Sequence, residues 1–178
     1  MLAFLVFQLG GMKAMALLVT TVPMLLLGRL GLLGADAGKQ WLLRRSFKGR
    51  SAEDCGTWGR RFCEELMPRL VRPAALDRLR WHQQQGHRVI VVTASCGLWV
   101  RDWCTTEGLE LIATELEVKD GLLTGAMATP NCKGIEKIER LRAVLDLERT
   151  ERIHAYGDTP ADRPMLSLAS DPHYKPFR

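Results

Sequence analysis

The sequence predicts an α/β fold in which a parallel sheet carries the chemistry and a helical region precedes it. Three observations support this. From Pro73 onward, stretches of helical period alternate with short β-branched runs, the pattern of a parallel sheet with crossover helices. Val89-Ile90-Val91-Val92 is continuously apolar, as expected of a strand covered on both faces. Residues 1–72 lack such runs and place apolar and basic residues at helical spacing. The chain therefore divides into a helical, hydrophobic and then basic region over 1–72 and an α/β core over 73–178.

In chain order, Ala14–Gly28 is free of charge and its apolar character resumes as Leu30–Gly34. It reads as a pair of buried or membrane-dipping helices broken near Pro23 and Gly28, because proline lacks an N–H and clashes inside a helix. A spanning helix would need about 20 apolar residues and so would have to include Arg29 and Pro23. A signal peptide would rest on Lys13 and a poor cleavage site near Ala35. Over 41–72, Trp41, Leu42, Phe47, Trp58, Phe62, Leu66 and Leu70 form inward faces, and Ser51 before Glu53 and Asp54 is a helix N-cap with acids in the first turn. Residues 74–85 form a helix stopped by Gly86, then comes the strand Val89–Val92, then a helix over Leu98–Glu107. Ile112–Val118 and Leu122–Ala126 flank Lys119-Asp120-Gly121, a hairpin signal. A helix with Ile135, Ile138, Leu141, Val144 and Leu145 on one stripe follows, and Ile153–Tyr156 is the last strand.

Composition narrows the function classes. At 178 residues, 47% apolar and 25% charged, the chain can bury one core without disulfides or a structural metal. Cys55, Cys63, Cys96, Cys104 and Cys132 are odd in number and contain no C-x-x-C, which fits neither a secreted disulfide framework nor a zinc knuckle. A cytoplasmic location follows. His82, His87, His154 and His173 show no metal-ligand spacing. The net charge of +5 raises the question of nucleic acid, but its placement answers it: ten of the cations fall between residues 41 and 80, directly after the apolar segment. That order suits the inner face of a membrane, where each cation contributes ~1 kcal/mol against anionic head groups. The bland alternative is a solvated helix face, and no nucleic-acid partner is expected.

In an open α/β sheet, ligands bind beyond the carboxyl ends of the strands. After Val89–Val92 come Thr93-Ala94-Ser95, a hydroxyl and backbone N–H groups at a helix start, suited to phosphate. After Ile153–Tyr156 come Gly157-Asp158-Thr159-Pro160-Ala161-Asp162, two carboxylates at i and i+4 beside a tight turn, a donor pair suited to Mg²⁺. Between them, Asn131-Cys132-Lys133-Gly134-Ile135-Glu136-Lys137 offers two lysines at a helix start, either of which could neutralise a phosphoryl group. Each piece alone reads equally well as a cap, a turn or a surface lysine. The order of the three carries the weight.

These segments resemble the haloacid dehalogenase superfamily, in its phosphoserine-phosphatase-like subfamily. Val89-Ile-Val-Val-Thr93-Ala-Ser95 is similar to its second motif and Ala155-Tyr-Gly-Asp158-Thr-Pro-Ala-Asp162-Arg-Pro-Met-Leu166 to its fourth. Asn131-Cys132-Lys133-Gly134 resembles one form of the third motif and selects Lys133. Cys132-x-Gly134-x-Glu136-Lys137 resembles the form found in membrane-associated relatives and selects Lys137, which the hydrophobic N-terminal segment favours. The resemblance implies a Rossmann-like core with helices on both faces and a helical cap. It also implies Mg²⁺-dependent hydrolysis of a phosphorylated small molecule or lipid phosphate through an aspartyl-phosphate. Thr93 would bind phosphate with Ala94 and Ser95, Lys137 or Lys133 would balance charge, and Asp158 with Asp162 would hold the metal. The family's first motif, a strand ending in Asp-x-Asp that carries the nucleophile, has no counterpart among Asp36, Glu53, Asp54, Glu64 and Glu65. Two expectations follow from its absence: a chain that begins after that strand, or a non-catalytic membrane-associated binding protein on a decayed fold.

Overall fold

A computed structural model describes residues 1–29, 34, 36–147 and 149–178. The chain opens with helices α1 (Leu2–Leu9) and α2 (Gly11–Arg29). The break lies at Gly10 rather than near Pro23 or Gly28. Gly10 takes φ +78°, open to glycine without strain, and its N–H closes α1 onto the Val6 carbonyl. Pro23 lies inside α2 on an exposed turn, where water can take up the carbonyl that proline leaves unbonded. Of the apolar run Leu30–Gly34, only Gly34 is among the described residues, and no helix among those residues is long and apolar enough to cross a membrane.

Helices α3 (Ala37–Phe47), α4 (Ala52–Glu65), α5 (Met67–Leu70) and α6 (Pro73–Gln84) follow. The Ser51 hydroxyl caps α4 by accepting the Asp54 N–H at 3.2 Å. Leu42, Phe47 and Phe62 are buried, Trp41, Trp58 and Leu66 pack partly against them, and Leu70 is exposed because the four-residue α5 has no buried face. Phe4 stacks on Trp99 with centroids 4.7 Å apart and meets Phe62 edge-on at 5.4 Å. These rings bind the N-terminal helices to the start of the α/β segment.

Strand β1 (Ile90–Cys96) pairs in parallel with β2 (Glu110–Thr114) across a crossover formed by a 3₁₀ turn at Gly97–Trp99 and helix α7 (Arg101–Thr106). The helix expected over Leu98–Glu107 is thus split. The run expected over Ile112–Val118 is split as well: at Glu115 the backbone turns to Thr129 and Ala128, and a separate strand β3 (Leu116–Lys119) forms an antiparallel hairpin with β4 (Leu122–Met127). Asp120 and Gly121 both have positive φ, as the Asp-Gly signal requires. The hairpin lies on α3, where a Cβ on Gly125 would come within 2.6 Å of the Arg44 Cα.

Helix α8 (Ile135–Arg142) buries Lys137, Ile138 and Leu141, while Ile135 and Val144 of the expected stripe stay exposed. Strand β5 (His154–Gly157) then pairs in parallel with β6 (Asp171–Tyr174) through helix α9 (Arg163–Leu166). The sequence gives little sign of β6, since Asp-Pro-His-Tyr has turn composition. Pro172 is tolerated there because an edge strand can spare one N–H.

The parallel pairs β1–β2 and β5–β6 do not join. Between them runs a cleft lined by Val91–Ser95 on one side and Tyr156–Thr159 on the other. Residues 90–94 are therefore only half-buried, whereas the apolar run predicted cover on both faces.

Candidate functional site

The cleft has a volume of about 630 Å³, within the range of small-molecule sites. Thr93, Ala94, Ser95, Lys133, Lys137, Asp158 and Asp162 all line it, so one concavity collects every predicted site residue.

A buried ion pair lies in its wall. Lys137 Nζ lies 2.6 Å from Asp162 Oδ1, with the two side chains 7% and 11% exposed, and also donates to the Val92 carbonyl at 2.8 Å. The turn after β5 builds the aspartate's side of the pair. Asp162 Oδ2 accepts from the Asp158 N–H at 3.1 Å, the Thr159 N–H at 2.9 Å and the Thr159 hydroxyl at 2.7 Å. Gly157 permits this, because a Cβ there would stand 2.5 Å from Asp162 Cβ. Burial by itself would raise the Asp162 pKa. The hydrogen bonds from Lys137 and Thr159 outweigh it and hold the carboxyl below its ordinary value.

Asp158 differs. Its carboxylate is partly exposed and meets Arg178 at 3.0 Å and Arg72 at 3.7 Å. These donors suit a hard cation such as Mg²⁺, which takes one or two carboxylates and fills its other positions with water and phosphate oxygens. Asp158 has the carboxylate that can reach such an ion. Both oxygens of Asp162 are engaged, by Lys137 on one side and by the turn on the other, which leaves neither free for an ion.

Lys133 precedes α8 rather than sharing a helical face with Lys137, because Gly134 at φ +58° separates them. Lys133 Nζ lies 2.5 Å from Asp36 Oδ1, which also accepts from Asn131 at 2.7 Å. Here too burial raises the aspartate's pKa, and its bonds with Lys133 and Asn131 bring it below normal. The Thr93 hydroxyl accepts the Ser95 N–H at 3.0 Å, which leaves its own proton to donate. The Ser95 N–H is spent on that bond rather than offered to an anion.

Sequence reasoning did not identify Lys39. Its Nζ reaches the Ala94 carbonyl at 2.6 Å, Asn131 Oδ1 at 2.6 Å and Thr114 Oγ1 at 3.2 Å, and burial lowers its pKa. A single lysine just ahead of the basic region belongs to no motif that could have marked it. The Val89 carbonyl accepts from Glu110 of β2, so by alternation the Val92 carbonyl points the other way, and the Lys137 ammonium occupies it. The Ala94 carbonyl lies where the β1–β2 register shifts, and it accepts from both Lys39 and the Thr114 hydroxyl of β2. Trp99, also on the cleft, keeps its indole N–H buried with no partner among the described residues. The carboxylates lining the cleft, among the described residues, are Asp158 and Asp162.

The model of the haloacid dehalogenase-like hydrolase family matches residues 1–167. The chain is 35% identical over 140 residues to the protein CicA of Caulobacter vibrioides, covering 76% of this chain and 62% of that protein. It is 30% identical over 131 residues to a histidinol-phosphatase of Neisseria meningitidis serogroup C, covering 68% and 58% respectively. The chain thus spans about three fifths of the length of these curated relatives. The crystal structure of a probable phosphoserine phosphatase from Vibrio cholerae superposes with a TM-score of 0.66 at 16% identity, over 84% of this chain and 45% of the other, and so shares its fold.

Proposed function

Since this chain belongs to the haloacid dehalogenase-like hydrolase family, we propose that its cleft is the phosphoryl-transfer site of a Mg²⁺-dependent phosphomonoester hydrolase working through an aspartyl-phosphate. The observation that carries this reading is the convergence of Thr93, Lys137, Asp158 and Asp162 on one concavity at the carboxyl ends of β1 and β5. Thr93 donates its hydroxyl proton to a phosphoryl oxygen, its oxygen held by the Ser95 N–H, with the backbone at Ala94 alongside. Lys137, held in place by Asp162, moves its charge toward the phosphate as negative charge builds there. Lys133, paired with Asp36 at the cleft margin, is the second choice for that role. Asp158 holds the metal, which when bound neutralises phosphate oxygens.

The nucleophilic aspartate arrives, in this reading, on an extended segment from outside residues 1–178 that seats between β1 and β5. Supporting it are the two unjoined parallel pairs and the Val92 carbonyl of β1, held by the Lys137 ammonium where a strand partner would bond. Residues 1–72 serve as a cap over the 73–178 core. The substrate is a phosphorylated small molecule, as the histidinol-phosphatase relative acts on, or a lipid phosphate. The lipid option, with the protein at the inner face of a membrane, draws support from exposed Val6, Met12, Met15, Val19 and Val22 on α1 and α2. The exposed cations between Arg44 and Arg80 support it further.

The test is phosphate release from a panel of soluble and lipid phosphomonoesters, with and without Mg²⁺. It is run on the chain alone and with an added apolar peptide ending in Asp-x-Asp. Release is expected with peptide and Mg²⁺ together, and to disappear in Asp158→Asn. Equal release by Asp158→Asn would overturn the site. Vesicle binding with no release in any arm would favour a non-catalytic binding protein.

A further inference from the structure

All four histidines of the sequence gather around β5, on the other side of Tyr156 from the cleft, though they are spread from residue 82 to 173 in the chain. Within this group the geometry points to a site for a borderline divalent cation of the zinc type, held by His154, Asp171 and His173. The strands themselves build it. His154 and Asp171 are register partners across the β5–β6 pair, and Asp171 and His173, two residues apart on β6, project from the same face. Their donor atoms all lie within 4.8 Å of one another: His154 Nδ1 is 2.6 Å from Asp171 Oδ2, and His173 Nε2 is 3.3 Å from Asp171 Oδ1. Two imidazoles and a carboxylate on one face, partly exposed, make a three-ligand set with room for water at the remaining position.

The rings are supported from behind. Tyr156 stacks on His173, with centroids 4.6 Å apart and planes 5° off parallel, and its hydroxyl lies 3.0 Å from His82 Nε2. His87 stacks on His154 at 5.7 Å. Packing that fixes the rings lowers the ordering a ligand must impose. One cation competes: the Arg152 guanidinium stands 3.9 Å from Asp171 Oδ2, but its side chain is 70% exposed and free to swing away. The three ligands are not among the residues that line the phosphoryl cleft, although Tyr156, which stacks on His173, forms part of its wall. A metal here would staple β6, and with it the C-terminal segment, to β5.

Zn²⁺ titration against a chromogenic chelator tests this, with thermal melting in a thiol-free reductant. The whole chain is expected to retain Zn²⁺ and to melt higher with it. Removing a true ligand should weaken binding by more than the ~10–100-fold that loss of a supporting partner costs. His173→Ala, at a partly exposed side chain, and Asp171→Asn are therefore both expected to lose the ion and the stabilisation, while Glu64→Gln, at an exposed position of α4, keeps both. Three results would each overturn the proposal: no uptake by the unaltered chain, undiminished uptake by His173→Ala, or loss of uptake in Glu64→Gln.

Discussion

Two lysine–aspartate pairs stand on the same cleft with nearly the same separation, 2.6 Å for Lys137–Asp162 and 2.5 Å for Lys133–Asp36, yet they are different objects. The first is 7% and 11% exposed and each partner is held by further bonds; the second is 37% and 36% exposed. Distance alone ranks them as equals. Burial does not, because a charge removed from water depends on its partner far more than one that water can still solvate.

The sharpest way to break the comparison is to remove one partner of each pair. Asp162→Ala strands the Lys137 ammonium in a buried site and is expected to cost about 3–5 kcal/mol in chemical denaturation. Asp36→Ala is expected to cost under about 1 kcal/mol. Equal losses would show that burial does not separate the pairs. Next in size is Gly157→Ala, whose methyl would press on Asp162 and loosen the pair indirectly. About 1–3 kcal/mol is expected, as for other overpacked sites, read from the urea midpoint.

Acid sharpens the same contrast. Asp162 is held below its ordinary pKa, so its contribution is fully present above the unfolded carboxyl value, near pH 4, and is lost as pH falls through the lower folded value. Asp36 is shifted in the same direction but is half-solvated. Melting temperature followed from pH 5 downward should fall, and Asp162→Asn should flatten that fall more than Asp36→Asn does. The smallest expected effect is Lys133→Met, within about 0.5 kcal/mol of the unaltered chain by the same denaturation measurement.

Much of this contrast was hidden from the sequence for a local reason. The spacing of Lys133 and Lys137 suits one helical face, but Gly134 at φ +58° is the N-cap from which α8 starts, so Lys133 stays outside the helix. Features set by neighbours in the chain were legible: the Asp120-Gly121 hairpin, the Ser51 cap and the turn from Gly157 to Asp162; the strand from Val89 was found but runs on through Thr93, Ala94 and Ser95 to Cys96, where the sequence placed a helix start. Features set by distant contacts were not. Lys39 meets Ala94 across 55 residues, and His82 meets Tyr156 across 74. Strand β6 escaped notice because its four residues take their conformation from β5 rather than from their own propensity. The exposed Leu70 and Ile135 show the converse, apolar residues that a periodic pattern places inward and short helices leave at the surface.

The ammoniums on the Val92 and Ala94 carbonyls bear on how this molecule behaves in a crowd. A bare strand edge is a template on which other chains can grow a sheet, and lysine is a natural gatekeeper against that growth. Here Lys137 reaches over from α8 and plugs the Val92 acceptor without offering a new edge of its own, while Lys39 from α3 holds the irregular end of the strand beside it. Reagents that neutralise lysine amines would unplug the edge and open it to other copies of the chain.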